Sequence, residues 1–134
     1  MNPEGIRTMS KLYFDHVYIS IQDMDRAVKF YETLLDKKVS HREENTWADF
    51  DVGSGCYFGL IKPEMIDNER KIGNNSIPVF ATDNVDDIYQ KAKNIGAKII
   101  HDIETLKYTD YFYRVFLCED TEGNLIEIAQ YERF

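Results

Sequence analysis

Cysteine is scarce in this chain of 134 residues: there are two, accompanied by only three prolines and seven glycines. Cys56 and Cys118 form no close-spaced pair, which excludes a disulfide-dense secreted scaffold and a Cys-x-x-Cys redox or zinc motif. They read as reduced, buried side chains. The low proline and glycine content excludes a fibrous repeat and a low-complexity disordered chain. Positive charge is also in deficit, with 16 Lys and Arg against 24 Asp and Glu and a net charge of −8. Without a basic stripe to override that sign, nucleic acid is excluded as a partner. No window approaches the roughly 18 consecutive apolar residues of a membrane span, and the opening MNPEGIRTMSK lacks the apolar core of a secretory signal. The expectation is a cytoplasmic protein with no membrane partner.

What is present is an ordinary globular composition, 43% hydrophobic and 30% charged, at the length of one domain. Nine Tyr, eight Phe and Trp47 favour strands and a cavity able to stack on a ligand.

Met24, Ala27, Val28, Tyr31 and Leu34 follow the three-and-four spacing of one helix face, with Asp23 as N-cap. Val85, Ile88, Tyr89, Ala92 and Ile95 repeat the spacing, with Asn84 as N-cap and Gly96 available to close the helix. Every one of these pairs is separated by the same 61 positions, the mark of an internal duplication. Each helix follows a strand, YFDHVYISI or NSIPVFAT. Each precedes three strand-like runs: KKVSHRE, TWADFDV and CYFGLIKP in the first half, and AKIIHDI, YTDYFYRVFLC and NLIEIAQY in the second. The fold class is therefore α+β, two tandem βαβββ modules whose curved sheets enclose a central cavity. The first module spans 13–62, a polar linker 63–75 and the second module 76–131, together one domain over 13–131.

Two strands carry an interrupting polar group, His16 in DHVYISIQ and Glu127 in GNLIEIAQ. Alternation puts Phe14, His16, Tyr18 and Ser20 on one face and Val17, Ile19 and Ile21 toward the helix. The offset of 61 maps His16 onto Ile77, and the offset of 68 between Gly55 and Gly123 maps Glu127 onto Gly59. The duplication therefore predicts that His16, Gly59, Ile77 and Glu127 meet between the modules. Gly59 would leave room there.

HVYISIQDMDRAVKFYETLLDKKV at the start and CEDTEGNLIEIAQ at the end resemble the vicinal oxygen chelate superfamily, which includes glyoxalase I, bleomycin-resistance proteins, fosfomycin-resistance enzymes and extradiol dioxygenases. The resemblance covers nearly the whole chain. It implies a homodimer, with modules of two chains often sharing each cavity. It also implies a divalent metal held from the four positions above, of which only His16 and Glu127 carry ligand atoms. The standard metal site is incomplete.

Three readings remain open. In the leading one a small, largely apolar or aromatic molecule is bound between the modules without chemistry, as in the bleomycin-resistance branch, with Tyr18, Tyr57, Gly59 and Ile77 in its walls. In the second, a metal-dependent lyase or dioxygenase-like enzyme holds its ion with His16, Glu127 and a non-standard third ligand, Asp49 or the substrate itself. In the third, His16 and Glu127 are a metal-free catalytic pair for acid/base work, to be weighed against a merely structural hydrogen bond. Trp47 and Tyr113 are candidates to stack on a planar ligand. Arg114 either clamps a ligand carboxylate or pairs with a surface acid. His41 and His101, at an offset of 60, are read as exposed strand residues rather than a symmetric ligand pair.

Overall fold

The computed structural model describes residues 14–65 and 76–134. The polar N-terminal stretch and positions 66–75 of the linker lie outside those residues. The element order is β1 His16–Ser20, α1 Met24–Leu35, β2 His41–Glu43, β3 Trp47–Gly53 and β4 Cys56–Ile61, followed by β5 Val79–Ala81, α2 Val85–Asn94, β6 Lys98–Lys107, β7 Tyr111–Glu119 and β8 Leu125–Arg133. A 3-10 turn over Pro63–Met65 follows β4. The strands form two four-stranded sheets, ordered β1-β4-β3-β2 and β5-β8-β7-β6. In each, the first strand of the module runs parallel to the last. The two βαβββ modules are thus the same unit built twice.

The helix ends form for local reasons. Asp23 accepts a hydrogen bond from the Arg26 N–H and Asn84 from the Asp87 N–H, satisfying donors that the first helical turn leaves free. Gly96 takes φ +105° just beyond α2. The first helix stops instead at Asp36, at φ 54°, whose N–H returns to the carbonyls of Glu32 and Thr33.

Met24, Ala27, Val28, Tyr31 and Leu34 of α1 are all buried, against Phe50, Phe58 and Leu60 of the first sheet. Each of the larger aliphatic side chains among them contributes about 1.5–3 kcal/mol by leaving water. The core runs on without a break into the second module: Phe58 on β4 meets Phe80 on β5 at 5.2 Å, and Tyr89 of α2 meets Phe116 of β7 at 5.2 Å. The helix-facing sides of both sheets therefore share one interior. By alternation along the strands, the opposite sides, carrying His16 and Tyr18 on one sheet and Val79 and Glu127 on the other, are turned outward.

The modules are also joined by a polar staple. In the turn before β8, Asp120, Glu122 and Asn124 are buried. Glu122 Oε1 accepts from the N–H groups of Gln22 and Asp23 at 2.9 Å, while its Oε2 accepts from Arg26 Nε at 2.7 Å. Asp120 accepts from the Tyr31 hydroxyl at 2.5 Å, and Asn124 donates to the Ser20 carbonyl at 2.7 Å. The loop of one module thereby sets where β1 of the other ends and where α1 begins.

Candidate functional site

The outer face of the first sheet carries most of its chemistry in adjoining rows. Pairing aligns Tyr18 with Gly59, Gly59 with Asp49, and Asp49 with His41 across all four strands. His16 pairs with Tyr57 in the next row. His16 Nδ1 lies 2.5 Å from Asp15 Oδ2, and its ring meets Tyr18 edge-on at 4.7 Å. His41 Nδ1 lies 2.8 Å from Asp49 Oδ1, and the His41 ring sits 5.8 Å from that of Tyr57. Each carboxylate thus engages Nδ1, and no hydrogen bond engages Nε2 of either imidazole among the described residues. Trp47 donates its Nε1–H to Glu43 at 3.2 Å.

The space above Gly59 is not vacant. A Cβ at that position would lie 2.4 Å from Cδ1 of Tyr18, so the glycine is what allows the Tyr18 ring to lie across β4. The expectation of room for a ligand at Gly59 is corrected accordingly: the phenol fills it.

On the second sheet Val79 aligns with Glu127, Glu127 with Leu117, and Leu117 with His101. His101 therefore holds in its sheet the register position that His41 holds in the other, and both are exposed on their strands. Strand β6 shifts register on both sides of His101, which hides the equivalence from a constant offset. Glu127 Oε2 accepts a hydrogen bond from the Tyr113 hydroxyl at 2.6 Å. Desolvation and that carboxylate together push the Tyr113 phenol above its ordinary range, so it remains a donor. Tyr131 meets Tyr113 and Tyr111 at 5.0 and 5.3 Å, and the Arg133 guanidinium lies 5.4 Å from the rings of Tyr111 and Tyr131. Ile77 and Val79 stand 46% and 53% exposed on the approach to Glu127. Arg114 takes the surface alternative, forming an ion pair with Asp86 at 2.8 Å.

His16 and Glu127 are each engaged within their own sheet, and neither bonds to the other. Among the described residues no three His, Cys, Asp or Glu side chains converge as a metal site requires. Gly59 and Ile77 add no donors, and Asp49 is committed to His41. The side chains of a single chain do not fit the divalent ion that the resemblance implies.

A cavity of about 560 Å³ does open between the modules, beside β1 and β5. Val17, Leu34 and Phe58 wall it from the first module and Phe80, Ile88 and Ile128 from the second. Tyr57, Phe14, Val79 and Ala81 also line it, whereas His16, Tyr18 and Glu127 do not. It lies toward the helices rather than between the outer faces. Cys56 forms part of its wall; buried Cys118 lies elsewhere, its thiol pushed up to about 12 by burial and by Asp120, which makes it inert.

Some site groups had a signal in the sequence that periodicity alone could have caught. Tyr131 has the parity of Glu127 on β8, and Asp15 adjoins His16. The partnership of Asp49 with His41 depends on strand register, which no local pattern encodes.

The family model of the Glyoxalase/Bleomycin resistance protein/Dioxygenase superfamily matches residues 13–128. A curated relative, the uncharacterized protein YwbC of Bacillus subtilis (strain 168), is 29% identical over 126 residues, covering 87% of this chain and 95% of its own. Among solved structures, a glyoxalase/bleomycin resistance protein/dioxygenase family enzyme from Burkholderia phytofirmans PsJN superposes with a TM-score of 0.73 at 19% identity, covering 87% of this chain and 96% of that one. A glyoxalase/bleomycin resistance protein from Albidiferax ferrireducens T118 gives 0.70 at 19% identity, covering 87% and 97%. At those identities the likeness speaks for the fold alone.

Proposed function

Since the chain belongs to the glyoxalase/bleomycin resistance/dioxygenase superfamily, we propose that it is a small-molecule-binding protein whose ligand, largely apolar or aromatic, lodges between its two modules. The observation that carries this reading is the cavity itself. Its volume falls within the roughly 300–1,000 Å³ of ligand sites, and both modules contribute apolar walls. N-phenyl-1-naphthylamine, a neutral apolar fluorophore, should bind saturably with enhanced emission. Ile88→Trp, which places an indole in the cavity, should suppress that binding while the far-UV circular dichroism stays unchanged. A wild-type protein that does not bind the fluorophore saturably would remove this reading.

A homodimer is the second element of the proposal, and the outward faces favour it. Exposed Ile77 and Val79 flank Glu127, while Phe14, 66% exposed, adjoins His16. Apolar side chains of this size beside oriented polar groups suit a surface covered by another copy. Apposition of the first sheet of one chain to the second sheet of its partner would bring a His16 and a Glu127 to one shared cavity, as the resemblance implies.

A further inference from the structure

A second pocket, about 540 Å³, adjoins the C-terminal end of α1 and shares Lys37 with the apolar cavity. Lys29, Lys37, Lys38 and Lys91 line it, against two carboxylates, Glu32 and Asp36. This is a local reversal of sign in a chain of net charge −8. Among the described residues none of the four ammonium groups has an ion-pair partner. Lys37 Nζ donates to the backbone carbonyl of Asp51, and Lys91 Nζ donates to that of Leu34 at 3.3 Å. Of the two acids, Glu32 is engaged by the Val39 N–H at 3.0 Å. The negative end of a helix attracts cations, which accounts for the Lys91 contact. It does not account for Lys37, which reaches across to the Asp51 carbonyl on β3 and lines both cavities.

We infer that the ligand is an amphiphilic anion, its apolar body in the cavity between the modules and its carboxylate or phosphate head among Lys37, Lys91 and their neighbours. This inference rests on the proposed binding function and names its ligand class. An apolar chamber supplies affinity without direction, whereas unpaired ammonium groups at one end supply orientation and discriminate against a neutral head. Placing the anion beside four lysines also relieves their mutual repulsion.

The test is displacement of N-phenyl-1-naphthylamine by 1-decanol, decanoate and decyl phosphate, which share a tail and differ in the head. Decanoate or decyl phosphate should compete about tenfold more tightly than decanol, the factor that one charge-assisted contact commonly provides; the better of the two identifies the head. That preference should fall as salt is raised. It should collapse toward unity in the Lys37→Met/Lys91→Met double variant and persist in Lys107→Met. Equal competition by all three amphiphiles would overturn this inference while leaving the cavity reading intact. Failure of the fluorophore and of decanol to bind would remove both. The salt series on the unaltered protein decides the matter even if the double variant does not fold.

Discussion

Gly59 is where a residue without a side chain determines the most geometry. It is buried between Asp49 and Tyr18 in register, with the Tyr18 ring against its Cα and the Val17 carbonyl 3.1 Å from where a Cβ would stand. Gly59→Ala must displace the Tyr18 ring and press on backbone, a case of overpacking with a typical cost of about 1–3 kcal/mol. Urea unfolding should show that loss. Tyr18→Ala should recover most of it in the double variant, because the ring is the nearer obstacle. A double variant as unstable as Gly59→Ala alone would mean that the backbone contact, rather than the ring, sets the cost. Elsewhere on this face, each imidazole is oriented by a carboxylate, Asp15 for His16 and Asp49 for His41. Those pairs leave Nε2 of each ring as the nitrogen that no carboxylate engages.

Among elements, the turn over Asp120, Glu122 and Asn124 works hardest, because it ties the loop of the second module to the first helix. Burial opposes the charge of Glu122, yet hydrogen bonds from Arg26 and from the N–H groups of Asp23 and Gln22 outweigh it and hold the carboxyl below its ordinary range. A carboxyl depressed in the folded state contributes stability that is present above its unfolded value, about 4.3, and is lost as the pH falls through the lower folded value. Thermal unfolding midpoints should therefore fall as the pH drops below about 4.3, and Glu122→Gln should show less of that fall. At neutral pH the variant should lose about 1.5–3 kcal/mol, the range for a hydrogen bond to a charged group. The larger penalty of a fully buried pair does not apply, because the side chain of Arg26 is 49% exposed. An unchanged acid limb in the variant would assign the pH dependence to other carboxylates. Tyr31→Phe probes the same turn from the helix side. It removes the 2.5 Å bond to Asp120 but leaves Asn124 Nδ2 at 3.2 Å, so its loss should be smaller, about 1 kcal/mol by equilibrium unfolding.

For the whole molecule, what was legible in the sequence is what periodicity encodes locally. The two helix faces repeat at one offset, the caps Asp23 and Asn84 stand where the helices begin, and the parity of β1 separates His16 and Tyr18 from Ile19. Family resemblance at the two ends then fixes the topology. Facts that depend on how distant segments meet were not legible: Phe58 packs against Phe80, Glu122 reaches residues 22 and 23, and the bulged β6 aligns His101 with His41. The same limit governs the central pair, since sequence alone placed His16 with Glu127 whereas in one chain each bonds within its own sheet. Whether a second copy unites them is testable at Val79, which is 53% exposed in the single chain and aligned with Glu127. In an isolated protomer Val79→Glu is a surface change, expected to alter stability by less than about 0.5 kcal/mol. In a dimer that covers this face it buries an unpaired carboxylate, and the copies should separate. Sedimentation equilibrium should give twice the chain mass for the unaltered protein and the single mass for Val79→Glu. The unfolding midpoint of the unaltered protein should also rise with concentration, as mass action requires. A wild-type protein that sediments at the mass of one chain, with a midpoint independent of concentration, would leave His16 and Glu127 as separate groups on two open faces and confine ligand binding to the cavity between the modules.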